Sequence, residues 1–361
     1  MEGLVIDEGF WKGKRVFLTG HTGFKGSWLS LWLGELGAVV RGYALEPNTT
    51  PSLFVEAQVG SKIDSEIGDI RDLDQLQKSM AKFNPDVLIH MAAQPLVRLS
   101  FQEPVETYET NVMGTVKVLE AARGCSNLKS IVCVTTDKCY ENKEWAWGYR
   151  ENEAMGGYDP YSSSKGCAEL IASAYRRSFL QEKGVGLATA RAGNVIGGGD
   201  WADDRLIPDI LDAFERQQPV IIRNPKSTRP WQHVLEPLSG YLVLAQKLYE
   251  APPEFSEGWN FGPKDDDAKP VDWILDQMVS KWNTKASWQL DANTHPHEAG
   301  FLKLDISKAK LRLNWQPTWQ LEFALTQITQ WYQAWLNKED MQQICLREIN
   351  EYSRDMRHED N

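Results

Sequence analysis

The 361 residues carry 42% hydrophobic and 25% charged side chains, the balance of a packed chain long enough for one large α/β unit and a smaller lobe. A formal net charge of −11 argues against nucleic acid or an anionic membrane as the main partner, while leaving room for local arginines and helix N-termini to hold a small phosphorylated ligand. No run approaches the ~18 apolar residues of a membrane span, no basic start leads into an apolar leader, and the five cysteines lack a C-x-x-C pair, so a cytoplasmic setting with reduced thiols is expected.

In chain order, residues 15–19 form a short apolar run ending at a glycine-rich turn, which predicts a buried strand. Residues 27–36 follow as a mostly apolar helix stopped by Gly37. Strands are predicted at 38–43, 85–90, 130–135 and 186–191, with helices near 105–123 and from Tyr161 to 183 between them. That alternation requires right-handed crossovers and gives a Rossmann-type, doubly wound parallel sheet. Beyond Gly197 the pattern breaks into Gly, Asp and Trp. Helices near 206–216, 235–249, 271–282 and 322–336 then come with few clear strands. The expected division is a dinucleotide-binding domain over 1–197, to which some later segments return, and a mainly helical substrate lobe over 198–361. The charged tail from 347 is helical or frayed, and the fifteen tryptophans are assigned to core and interface packing.

Gly20-His21-Thr22-Gly23-Phe24-Lys25-Gly26 joins the first strand to the first helix. Glycines there permit a tight turn and let backbone N–H groups approach a pyrophosphate at a helix N-terminus. The acid that usually follows on the second strand to hold ribose hydroxyls is missing: Ala44 stands near its place, Glu46 comes late, and Arg41 is an option for a 2′-phosphate. Asp69, with Ile70 beside it, is placed to accept from an adenine amino group.

Tyr161 and Lys165 lie four apart, on one face of a helix, where both meet one ligand. A cation beside the phenol favours its phenolate, which then removes a hydroxyl proton as hydride leaves the same carbon. Position strengthens the pair, because it follows the strand ending Val134-Thr135-Thr136-Asp137 at the sheet edge where ligands bind.

Taken in order, the glycine turn, Asp69-Ile70, His90-Met91-Ala92-Ala93-Gln94, Asn111-Val112-Met113-Gly114-Thr115 and Tyr161-x-x-x-Lys165 resemble the extended short-chain dehydrogenase/reductase family. The resemblance runs from residue 15 to about 200, and family-like features continue to about 320. It implies that Ala92, Ala93, Gln94, Asn111 and Thr135 line or support the cofactor pocket. Thr135-Thr136-Asp137-Lys138 resembles the Thr-Asp-Glu triplet of dTDP-glucose 4,6-dehydratases, with Lys138 in place of Glu. Together with residues 191–201 and 229–235, it resembles the CDP-glucose branch of those dehydratases.

The resemblance implies a reaction in which Tyr161 takes the 4-hydroxyl proton, Thr136 bonds the 4-oxygen and Asp137, held protonated, donates to the departing 6-hydroxyl. Lys138 is the C5 base or the cation that stabilises the enolate; as a base it needs burial and neighbouring positive charge. Asn194, Arg205, Arg229 and Asn260 are implied near the diphosphate and sugar. NAD is the expected cofactor, since a closed redox cycle draws on no NADPH pool, and CDP-glucose the expected substrate. A homodimer or homotetramer paired through helices 105–123 and 161–183 is implied, as is a place in 3,6-dideoxyhexose supply for bacterial surface polysaccharide. His295 and His297 have metal-like spacing but no ligand set, so no metal is expected. The competing readings are a 4-epimerase or GDP-mannose dehydratase of the same fold, and a non-catalytic dinucleotide sensor.

Overall fold

The computed structural model describes residues 6–282, 286–291 and 301–358. Twelve strands, β1 (Arg15–Thr19), β2 (Val39–Ala44), β3 (Asp64–Ile67), β4 (Val87–His90), β5 (Ser130–Val134), β6 (Gly186–Ala192), β7 (Asn194–Ile196), β8 (Val220–Ile222), β9 (Thr228–His233), β10 (Gly258–Phe261), β11 (Ala268–Pro270) and β12 (Trp288–Leu290), form three sheets among the described residues. The largest is a seven-stranded sheet in the order β10-β6-β5-β4-β1-β2-β3, parallel throughout. Strands β4 and β5 are buried along their whole length, as expected of strands covered by helices on both faces. The order reverses between β1 and β4, and ligands bind outside the C-terminal ends of the strands at such a switch point.

The predicted strands and helices of the first half fall within a few residues of their places. Two helices carry an internal irregularity that periodicity does not show. The 105–123 segment runs as Pro104–Tyr108, a π-turn at Glu109–Met113 and a helix at Gly114–Ala122; Pro160–Tyr175 continues into another π-turn at Arg176–Leu180. The first π-turn carries Asn111, consistent with the habit of such bulges to fall at functional sites.

Beyond Gly197 the helices Leu206–Glu215, Leu235–Glu250, Val271–Trp282 and Leu321–Leu336 stand close to expectation. The expectation of few strands there is corrected. Strands β7, β9 and β11 form a small sheet, β8 pairs with β12, and β10 returns to the main sheet as its edge beside β6. All but β9 are three or four residues long, too short for a period-two pattern to stand out. The charged tail forms the helix Met341–His358, whose Tyr352 meets Trp32 edge-on at 5.6 Å. Tyr352 also donates to the buried carboxylate of Glu236 at 2.6 Å, which accepts in addition from the Thr318 and Trp319 backbone at 2.9 and 2.6 Å. Among the fully buried large side chains are Trp11, Trp28, Trp32, Trp259 and Trp331. No helix among the described residues is long and apolar enough to cross a membrane.

Candidate active site

Strand β1 leads into Gly20, whose φ of +80° disfavours any side chain; a Cβ there would lie 2.7 Å from the Ala92 nitrogen. A Cβ on Gly26 would lie 2.0 Å from the Gly20 oxygen, so the turn closes tightly against both the first helix and the chain leaving β4. Gly23 donates to the Gly20 carbonyl at 3.2 Å and stands as N-cap of the helix Phe24–Glu35 with no side chain over its N–H groups. The cradle therefore fits a dinucleotide pyrophosphate. His21 and Thr22 brace it from behind: His21 Nε2 pairs with Ser65 Oγ at 2.7 Å and Thr22 Oγ1 donates to the Leu45 carbonyl at 2.8 Å. Burial pushes His21 down to about 4, which keeps it neutral.

Arg41 is already engaged by a neighbouring strand. Its Nε and Nη2 bond Asp64 at 2.8 and 2.5 Å, and its guanidinium lies 5.1 Å over the Phe83 ring, which corrects that option. Asp69 is held below its ordinary range by hydrogen bonds from Arg71, whose Nη2 reaches it at 2.6 Å. Ile70 is buried beside it. Ala92 and Ala93, half-buried, follow β4. The side chain of Gln94, expected at the cofactor, is instead occupied by Leu96 (backbone N 2.6 Å, O 3.1 Å) and Thr107 (2.9 Å). Asn111 is buried and joins the Gln94 backbone to the helix of Tyr161, exchanging bonds of 2.9 and 3.0 Å with Gln94 and donating to Ser164 Oγ at 2.9 Å. Thr135 is likewise engaged inside the protein, its hydroxyl donating to Glu169 at 2.5 Å. The polar side-chain atoms of these three residues are thus engaged within the protein, which the motif spacing alone did not show.

Strand β5 runs into a single turn at Asp137–Cys139 capped by the Thr136 hydroxyl. Asp137 is 2% exposed; its Oδ1 accepts from Thr136 Oγ1 at 3.0 Å, while Oδ2 meets no donor among the described residues. Burial raises the Asp137 carboxyl above its usual range, against the opposing pull of Lys138, the Thr136 hydroxyl and Arg229. A buried carboxyl whose proton is held more tightly than usual, with one oxygen free, is suited to proton donation. Lys138, next in the turn, is half-buried.

The helix Pro160–Tyr175 starts here because Asp159 caps it, accepting from Ser162 N at 2.9 Å, and Pro160 stands in its first turn. Tyr161 is thereby fixed at the helix entrance. Burial pushes its phenol up to about 12; the Thr136 hydroxyl and Arg205 draw it back, and Asp137 and Asp159 oppose them. Lys165 Nζ donates to the Val134 carbonyl at 3.4 Å, and burial lowers it to about 8. Lys25, from the glycine turn, is lowered to about 7 by burial and by the charges of Lys165 and Arg205. Burial thus eases the loss of a proton from both buried lysines.

Arg205 precedes the helix Leu206–Glu215 and is tethered to buried Asp200 at 2.8 Å. Its charge acts on the Tyr161 phenol. Asn194 opens β7 in register with Trp231, and Arg229 on β9 acts electrostatically on Asp137. Asn260 corrects the expectation. It is fully buried, its Oδ1 accepts from Tyr140 OH at 2.7 Å, and its Nδ2 donates to the Tyr149 and Asp305 carbonyls at 2.8 and 3.1 Å, so no polar atom faces the crevice. His295 and His297 lie outside the described residues. Sequence reasoning missed Asp200, Glu169, Arg191 and Tyr140; a signal existed for Glu169, one helical turn past Lys165 on the same face.

Residues 17–328 match the GDP-mannose 4,6 dehydratase family. A CDP-glucose 4,6-dehydratase of Salmonella typhimurium is 62% identical over 353 residues, covering 96% of this chain and 98% of the relative. A dTDP-glucose 4,6-dehydratase of Haemophilus influenzae is 24% identical, over 88% and 97% of the two chains. Among solved structures, a UDP-glucose 4-epimerase of Thermotoga maritima with UDP-glucose superposes with a TM-score of 0.76 at 19% identity, covering 89% of this chain and 99% of that one. A dTDP-glucose 4,6-dehydratase of Bacillus anthracis in complex with NAD gives 0.73 at 22% identity, over 89% and 97%.

Proposed function

The chain belongs to the GDP-mannose 4,6 dehydratase family, and from that premise we propose that it converts CDP-glucose to CDP-4-keto-6-deoxyglucose with NAD as its bound coenzyme. The observation that carries the reading is the buried Asp137, its proton affinity raised by burial, near Tyr161 and a glycine cradle shaped for a dinucleotide. A 4-epimerase needs no acid for a leaving hydroxyl. For the nucleotide, the support is the 62% identity to a CDP-glucose enzyme against 24% to a dTDP-glucose enzyme. NAD rather than NADP is supported by the engagement of Arg41 with Asp64.

The glycine cradle at Gly20, Gly23 and Gly26, with Asp69, would hold NAD, which would supply the hydride acceptor for C4 and the hydride donor for C6. Tyr161 takes the proton of the 4-hydroxyl, and Thr136 bonds the 4-oxygen. The ketone so formed acidifies C5–H, and Lys138, acting as the neutral amine, removes that proton. Asp137 protonates the departing 6-hydroxyl, which leaves as water, the proton on Lys138 goes back to C5, and the proton taken by Tyr161 is released to solvent as Asp137 takes one up. Asn194, Arg205 and Arg229 hold the diphosphate and sugar, guanidinium donors being well matched to phosphate oxygens.

Turnover in heavy water should place deuterium at C5 of the product. Lys138→Ala is expected to lose that exchange; exchange at the normal rate would leave Lys138 only the stabilisation of the enolate.

We further propose a cytoplasmic homo-oligomer whose product feeds 3,6-dideoxyhexose synthesis. Val105, Met113 and Leu170 are 71, 47 and 62% exposed on the two helices expected to pair, an apolar cost that a four-helix interface removes. Light scattering should report at least twice the chain mass, with Leu170→Glu reducing it; a monomeric wild type would contradict this arrangement.

A further inference from the structure

Behind the catalytic turn lies a buried ion pair that the reaction does not use. Glu169 and Arg191 side chains are each 5% exposed and meet at 2.7 Å. The Glu169 carboxylate accepts from Thr135 Oγ1 at 2.5 Å, Thr189 Oγ1 at 2.6 Å and Arg191 Nε at 2.9 Å. Arg191 Nη1 donates to the Tyr140 hydroxyl at 2.6 Å, and that hydroxyl donates onward to Asn260 Oδ1 at 2.7 Å. Stability alone gives weak reason to keep such a pair, since apolar packing of similar volume often serves as well.

Its connections supply a reason. Thr135 and Tyr140 are the two ends of the turn that carries Asp137 and Lys138, and each end is pinned to one member of the pair. Glu169 lies on the helix of Tyr161 and Lys165, one turn beyond the lysine. One rigid frame therefore joins the groups that oxidise C4 to those that eliminate across C5 and C6. A single bound sugar must meet both sets without leaving, and small misplacements of reacting groups cost rate steeply.

Resting on the dehydratase reading, we propose that Glu169, Arg191 and Tyr140 are positioning residues that hold the 135–140 turn in register with the helix of Tyr161 and Lys165.

Tyr140→Phe removes one hydroxyl from the frame and touches no proposed substrate or cofactor contact. It should lower kcat by about tenfold with KM within about twofold, because the elimination half falls out of register while binding persists. The distinguishing readout is a pair of kinetic isotope effects on kcat. With substrate deuterated at C5 the effect should grow relative to wild type, and with substrate deuterated at C4 it should shrink. A variant that merely folded less completely would lower kcat with both effects unchanged, and that result, or wild-type kinetics, overturns the proposal. Thr189→Val, which loosens Glu169 from β6, should show the same signature in smaller measure. If neither variant folds, the frame serves folding and the positioning role is wrong. Wild-type protein that turns over no nucleotide sugar would instead overturn the dehydratase reading.

Discussion

Replacing Tyr161 with Phe is expected to lower kcat by about 10³-fold, the scale of a lost general base, with the melting temperature and NAD affinity unchanged. The ring keeps filling its buried place at the helix entrance, and only the proton acceptor is lost. Burial alone drives the phenol the wrong way, up to about 12, and the Thr136 hydroxyl and Arg205 draw it back. The phenolate needed for turnover is thus favoured first by the Thr136 hydroxyl and then by the charge of Arg205. A variant retaining a tenth or more of wild-type kcat would remove Tyr161 from the base role.

Asp137→Asn should lower kcat by about 10²-fold or more. The amide keeps the shape and still bonds the 6-oxygen, but it has no proton to transfer. Because burial already opposes the charged form of Asp137, the neutral replacement should leave stability unchanged or raise it, so the loss reads as chemistry. A CDP-sugar with fluorine in place of the 6-hydroxyl, whose departure needs little protonation, should recover much of the lost rate. Equal losses on both substrates would mean that Asp137 does something other than protonate the leaving group.

The chemistry of the crevice was legible from sequence where it is local. The glycine turn, Tyr161 with Lys165, and the Thr136–Asp137–Lys138 run are each set by spacing within one or two elements, and β1 was delimited by its apolar run alone. What escaped depends on partners distant in the chain. Asn260 looked like a ligand contact because nothing local reveals that its carbonyl partner, Tyr140, stands 120 residues away. Arg41 looked free for a phosphate because Asp64 arrives from the next strand. Glu169 and Arg191 read as a helix residue and a strand residue until the fold buries them together. The short strands of the second lobe hide for a related reason, since pairing rather than pattern makes them strands.

The measurement that tests the central claim most directly is incubation of the purified protein with NAD and, separately, CDP-glucose, dTDP-glucose and GDP-mannose, following the absorbance of a 4-keto sugar in alkali. A signal with CDP-glucose alone is predicted. A signal with either of the other two sugars in its place would overturn the CDP assignment while keeping the mechanism, and silence with all three would contradict the enzyme itself.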